Sequence, residues 1–390
     1  MSKGRRPGRA GAADLVGVGF LRKPGRYEDS RARRVFGNEG KHGVVAFDPW
    51  RAGHDTIGTS FDFIAAMSPA SVIRSLLALA VATALPLAVV AEVPTKVPNA
   101  PTGQIEKHYY DNGPYAVSAY PEFGCCDSAG YAFDVYAPSD LGQLDKPLPI
   151  ITFGNGTGAA PQYYDYLLRH LASWGFAIVA SRQPNTGVGT EIRDAANFMV
   201  KENTRPGSPF FGHLDTVHIG AMGHSQGATG VINAMRDSSG SIRTAIAMAL
   251  PAQKYCSSPE NCTNTSQLTS GSVFFLNGSL DAVISPSYQT LGAKGLQSNS
   301  AYYRAMPEPL PKFWATLRGT SHNDMLGQPD CGPVGVLCTN GVYGFLGYPT
   351  AWMMDQLKGD AKAHAVFVDG SGEIFSQTKN WRHQSSNIAH

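Results

Sequence analysis

From residue 148 to residue 357 the chain reads as an α/β protein, a doubly wound and mostly parallel sheet with helices on both faces. Three observations predict this. Short apolar runs bounded by turn residues alternate with stretches of helical character, which is the pattern of strands joined by crossover helices. The runs are apolar almost throughout, as expected of strands buried on both faces. One of them, Thr216–Met222, hands over to a helical stretch, Gln226–Met235, through Gly223-His-Ser-Gln-Gly227.

In chain order, Pro94–Pro101 reads as a linker, and Tyr115–Tyr120 and Tyr131–Ala137 as two early strands around a Cys125-Cys126 turn. The alternation then begins. Leu148–Phe153 is predicted as a strand, Gln162–Trp174 as a helix, Phe176–Ser181 as a strand and Glu191–Val200 as a helix. Val217–Met222 follows as the strand into the glycine-flanked serine. Thr244–Leu250, Val273–Leu276 and Phe313–Leu317 are further strands, with helices expected at Ser287–Leu296 and Val342–Leu357.

The 390 residues carry a net charge of +2, which gives no reason to expect a nucleic-acid partner. The charge is unevenly placed: residues 1–66 hold 12 Lys and Arg against 7 Asp and Glu, leaving 20 against 23 in the remainder. After this basic segment, Met67-Ser-Pro-Ala-Ser-Val-Ile-Arg74 and the apolar run Leu76–Ala91 have the composition of an export signal, with Val89-Val90-Ala91 offering small residues for cleavage before Glu92. The run is shorter than the roughly 20 residues of a bilayer span and contains Pro86, so a stable membrane anchor is not expected. Such a signal works from an N-terminus. We therefore expect translation from Met67, residues 1–66 as an extension without a folded role, 67–91 as a signal peptide and 92–390 as one secreted domain, with a monomer favoured.

All six cysteines follow Ala91. Oxidising conditions permit disulfides there, and the spacings Cys256/Cys262 and Cys331/Cys338 favour two local loops, while Cys125 and Cys126 could bond elsewhere. A zinc site is disfavoured because no Cys-x-x-Cys pair and no histidine at ligand spacing accompanies them. His213, Asp215 and His218 flank a predicted strand and are expected on the surface rather than around a metal. No metal and no organic cofactor is expected.

In a parallel sheet, functional groups gather where strands end at their carboxyl side. Ser225 lies in such a turn, where a tightly bent backbone exposes a hydroxyl and small neighbours avoid collision. The loop after Val273–Leu276 supplies Asp281 and the loop after Phe313–Leu317 supplies His322. A serine hydroxyl needs an imidazole to accept its proton, and the imidazole needs a carboxylate to fix its tautomer and stabilise its cation. Ser225, His322 and Asp281 meet these needs; Asp324 is the rival acid, but it lies two residues from His322 in the same loop. Backbone N–H groups for a developing oxyanion are expected from Gln226, after the serine, and from Thr157, or failing that Gly156, in Phe153-Gly-Asn-Gly-Thr-Gly158. That loop lacks the Gly-Lys-Ser/Thr of a phosphate cradle. The sequons at Asn155, Asn261, Asn264 and Asn277 are discounted as functional signals.

Over roughly Ile150–Leu357 the chain resembles secreted α/β-hydrolases of the polyesterase–lipase–cutinase type, including poly(ethylene terephthalate) hydrolases, and more distantly chlorophyllases and dienelactone hydrolases. The likeness rests on Leu171-Ala-Ser-Trp-Gly-Phe176, Met222-Gly-His-Ser-Gln-Gly-Ala228, Leu276-Asn-Gly-Ser-Leu-Asp281-Ala-Val-Ile-Ser-Pro286, Gly319-Thr-Ser-His322 and Tyr348-Pro-Thr-Ala-Trp-Met353. It implies an α/β-hydrolase fold, a triad of Ser225, Asp281 and His322, and an oxyanion hole of Thr157 and Gln226. It also implies a shallow cleft for an ester, small or polymeric, with Gly156, His224, Val283 and Tyr255 as candidates for its walls. The chain departs from the pattern in a longer, glycine-richer oxyanion loop and in a cysteine-bearing insert, Gln253–Leu268. An acyltransferase using the same serine, and a silent binding module with the same fold, are the alternatives.

Overall fold

The computed structural model describes residues 99–326, 331 and 336–390. The expected extension (1–66), the export signal (67–91) and its cleavage site lie outside the described residues. A nine-stranded mixed sheet has the order β1-β2-β4-β3-β5-β6-β7-β8-β9. Its strands are β1 (Val117–Gly124), β2 (Phe133–Pro138), β3 (Leu148–Gly154), β4 (Ala177–Ser181), β5 (Leu214–His224), β6 (Ile242–Met248), β7 (Ser272–Gly278), β8 (Lys312–Leu317) and β9 (Trp381–Ser386). β3 to β8 pair in parallel, while β1, β2 and β9 are antiparallel to their neighbours.

Each central strand is buried on both faces, and its residues alternate between two cores. Ile151, Phe153, Met222, Phe274 and Phe313 point into one, with α2 (Asp165–Ser173) and α6 (Gly347–Lys358) covering that face. Ile150, Ala221, Val273, Phe275 and Trp314 point into the other, covered by α3 (Thr190–Glu202) and α4 (Gln226–Asp237). This is the reason the strands read as unbroken apolar runs. The α/β expectation, with a mostly parallel sheet and helices on both faces, is therefore met.

Four differences from the sequence reading have local causes. Ser287–Leu296 is not a helix: Gly292 and Gly295 have φ of +81° and +74°, a conformation that breaks helical continuity. A helix begins later instead, at Asn299–Ala305 (α5), where the Ser298 hydroxyl caps the Ala301 N–H at 3.2 Å. Gln104–Tyr110 forms an unanticipated helix (α1), its first-turn N–H groups taken by Glu106 and by the distant Glu373. β9 was also missed, because an edge strand reading Trp-Arg-His-Gln-Ser-Ser lacks an apolar run.

Two cysteine pairs close as expected, Cys256–Cys262 and Cys331–Cys338, and Cys125 pairs with Cys126. No helix among the described residues is long and apolar enough to cross a membrane.

Candidate active site

Ser225 sits between β5 and α4 with φ +55° and ψ −122°, a left-handed conformation that costs a non-glycine residue about 1–3 kcal/mol. The surroundings hold it there. Its N–H donates to the Met248 carbonyl at 3.0 Å, and its own carbonyl accepts from Ala228 at 2.8 Å. A Cβ on Gly227 would collide with the carbonyl of Gly154, which the parallel register places beside Gly223. The sharp turn also keeps the Ser225 hydroxyl from capping α4, the usual role of a serine at that position, so Oγ is left to face His322.

Asp281 follows β7 and His322 follows β8, and the two strand ends are tied together. Ser279 N–H donates to the Leu317 carbonyl at 2.8 Å and Leu280 N–H to the Thr320 carbonyl at 2.9 Å. Asn277 braces the same junction: its Oδ1 accepts from Thr316 Oγ1 at 2.8 Å and its Nδ2 donates to the Ser285 carbonyl at 2.9 Å. The outcome is a line of three side chains. Asp281 Oδ2 lies 2.6 Å from His322 Nδ1, and His322 Nε2 lies 2.8 Å from Ser225 Oγ. Asp281 Oδ1 accepts from the N–H groups of Ser285 and Ile284 at 3.1 and 3.2 Å, so the carboxylate is fully engaged and cannot swing away. Since a carboxylate only accepts, His322 carries its proton on Nδ1 and offers Nε2 to the serine hydroxyl.

His224 is buried beside this line. Its Nε2 lies 2.9 Å from the His322 carbonyl and its Nδ1 2.9 Å from the Tyr164 hydroxyl, which in turn accepts the Gly156 N–H at 2.9 Å. Burial, reinforced by the neighbouring His322, holds the His224 imidazole well below its ordinary pKa, and burial raises the Tyr164 phenol above its own. The Gly156 N–H is therefore already occupied. The backbone N–H groups of Thr157 and Gln226 have no acceptor among the described residues, and both residues line the cleft beside Ser225.

That cleft encloses about 860 Å³ and is lined by Ser225, His322, Gly156, Thr157, His224 and Tyr255 together with Tyr163, Ile284 and Leu326. Val283 departs from the expectation. It is 64% exposed and does not line the cleft; its neighbour Ile284 does. Ala282 and Val283 both lie on the exposed side of the bend that follows Asp281, and the chain turns inward again only at Ile284 and Ser285. The insert Gln253–Leu268 folds as short 3-10 turns, and its Cys256–Cys262 bridge brings Cys256, Ser257 and Asn261 to one wall.

Asp324 has a different place from Asp281. Its carboxylate accepts backbone N–H groups from Thr339 at 3.1 Å, Gly341 at 2.6 Å, Ser321 and Asn340, and does not reach the imidazole of His322. Burial raises its pKa against the pull of those four donors. Atoms of Asp324, Cys331 and Cys338 come within 4.8 Å of one another, but the two sulfurs are joined and present no thiolate to a metal. Asp215 and His218 pair with each other at 2.6 Å near the surface. Asn155 and Asn277 are completely buried, and their amides serve internal hydrogen bonds.

Tyr164 is the residue that sequence reasoning missed. It lies within the predicted helix 162–174, where nothing in a tyrosine at that register reveals a partner sixty residues away. Neither protein-family models nor curated protein sequences give a match to this chain.

Proposed function

We propose that the protein is an exported serine carboxylic-ester hydrolase of the α/β-hydrolase type, with Ser225 as nucleophile, His322 as general base and acid, and Asp281 as the residue that orients it. The observation that carries the reading is the unbroken hydrogen-bonded line Asp281–His322–Ser225 beside the N–H groups of Thr157 and Gln226, which have no acceptor among the described residues. The chain order serine, aspartate, histidine and the strand-turn-helix setting of Ser225 support the fold assignment. The two local disulfides support an oxidising compartment.

In this account Ser225 Oγ attacks the ester carbonyl carbon while its proton passes to His322 Nε2. The oxyanion accepts hydrogen bonds from the N–H groups of Gln226 and Thr157, and the imidazolium is stabilised by Asp281. Collapse breaks the carbon–oxygen bond, and the departing alcohol takes the proton from His322. Water then gives its proton to the same nitrogen, attacks the acyl-enzyme and releases the acid, and Ser225 regains its hydrogen. The open cleft, walled by Tyr163, Tyr255, Ile284 and Leu326, suits short- to medium-chain esters and the exposed segments of a polyester.

A p-nitrophenyl phosphonate tests this reading. The expected result is a single phosphonyl adduct on Ser225, formed in step with loss of esterase activity and absent from Ser225→Ala. An adduct on another residue, or full activity after Ser225 is modified, would overturn it.

A further inference from the structure

His224 touches no reacting atom in the mechanism above, yet both of its ring nitrogens are committed. Its Nε2 faces the main-chain carbonyl of His322, which can only accept, so Nε2 carries the proton. A buried imidazole here is neutral, since a charge would lie beside the His322 ring, whose centroid is 4.9 Å away. Nδ1 is then a bare acceptor and takes the Tyr164 hydroxyl proton, while Tyr164 Oη accepts the N–H of Gly156. Every donor and acceptor in the chain has one permitted direction: Gly156 N–H to Tyr164, Tyr164 O–H to His224, His224 Nε2–H to the His322 carbonyl.

The two ends of this chain are the two moving parts that acyl transfer must keep in register. Gly156 immediately precedes Thr157 in the oxyanion loop, and the carbonyl of His322 belongs to the general base itself. We propose that His224 and Tyr164 are positioning residues, a neutral relay that fixes the oxyanion loop against the loop carrying His322; the proposal rests on the ester-hydrolase reading. The relay also reserves the Gly156 N–H, so that Thr157 and not Gly156 donates to the oxyanion. Pure packing would ask only for two rings of this size. The distinction is open to test because Tyr164→Phe keeps the ring and removes only the oxygen.

Parent and Tyr164→Phe proteins are compared in three ways: phosphonate labelling of Ser225, kcat and KM on a p-nitrophenyl ester, and ¹⁵N NMR of histidine-labelled protein. The relay predicts that both proteins are labelled at Ser225 and that kcat of the variant falls about 10- to 100-fold with KM changed less than about threefold. It also predicts that parent His224 is protonated on Nε2 and bare on Nδ1, with the Nδ1 resonance moving in the variant. A labelled variant whose kcat falls by less than about fivefold, or whose loss lies in KM alone, overturns the relay while leaving the hydrolase reading intact. Absence of label in the parent protein overturns both. Should Tyr164→Phe fail to fold, the parent spectrum decides: His224 protonated on Nδ1 contradicts the proposal and the Nε2–H form supports it.

Discussion

Asp324 Oδ1 accepts the backbone N–H of Gly341 at 2.6 Å, so the loop that carries His322 is fastened to the chain that follows Cys338 by the carboxylate that first looks like a rival to Asp281. Two aspartates near one histidine thus do separable work. Asp281→Asn should leave stability nearly unchanged and lower kcat by about 10⁴-fold, because an amide favours the wrong imidazole tautomer. Asp324→Ala strands four N–H groups, that of Gly341 buried and those of Ser321, Thr339 and Asn340 partly so, and should lower unfolding stability by about 2–4 kcal/mol, seen as a reduced urea midpoint.

The backbone of Ser225 gives a second pair of outcomes. Ser225→Ala removes the nucleophile and should lower kcat by about 10⁶-fold while the φ of +55° persists. Ser225→Gly is equally inactive but relieves the left-handed strain, and its stability should exceed that of the alanine variant by about 1 kcal/mol. Thermal unfolding of the two variants side by side checks this.

Acid lability should come in part from His170. It is buried under Tyr109, with Nε2 3.0 Å from the Tyr109 carbonyl, and burial lowers its pKa from 6.5 to about 4. The unfolded chain therefore binds a proton that the folded protein refuses between these values. The stability this neutral histidine contributes is complete above pH 6.5 and is lost as pH falls toward about 4, to the extent of about 3 kcal/mol. Urea midpoints measured from neutral pH to pH 4 should fall steeply in the parent protein and less so in His170→Leu.

Loss of the Cys331–Cys338 bridge should act on both stability and turnover. The bridge spans seven positions beside the His322 loop, and Asn323 N–H reaches across to the Leu337 carbonyl at 2.8 Å. Cys331→Ser with Cys338→Ser should cost about 2.5 kcal/mol from the freed unfolded chain. Because the base is on the loosened loop, kcat should fall more than KM rises. The same exchange at Cys256 and Cys262 loosens a cleft wall, and there the change should appear chiefly in KM.

The parts of the site that sequence makes legible are those fixed by local chain geometry. Ser225 is announced by two glycines that no larger residue can replace in the turn, and Asp281 and His322 by the strands that immediately precede them. The parts it conceals depend on partners far along the chain. Tyr164 matters through His224 and Gly156, Asp324 through backbone donors at 339–341, and α1 through Glu373, none of which leaves a periodic trace. The helix expected at Ser287–Leu296 fails for the converse reason, since Gly292 and Gly295 lie inside the stretch and adopt positive-φ turn conformations. Val283 fails on direction alone: within the turn around Asp281, one residue decides which side chain meets the cleft.

The measurement that tests the central claim most directly is kcat/KM for a series of p-nitrophenyl esters from acetate to palmitate, on the parent protein and on Ser225→Ala. The account predicts activity that peaks at short to medium acyl chains and vanishes in the variant. No turnover in the parent, or turnover that survives without the Ser225 hydroxyl, would contradict it.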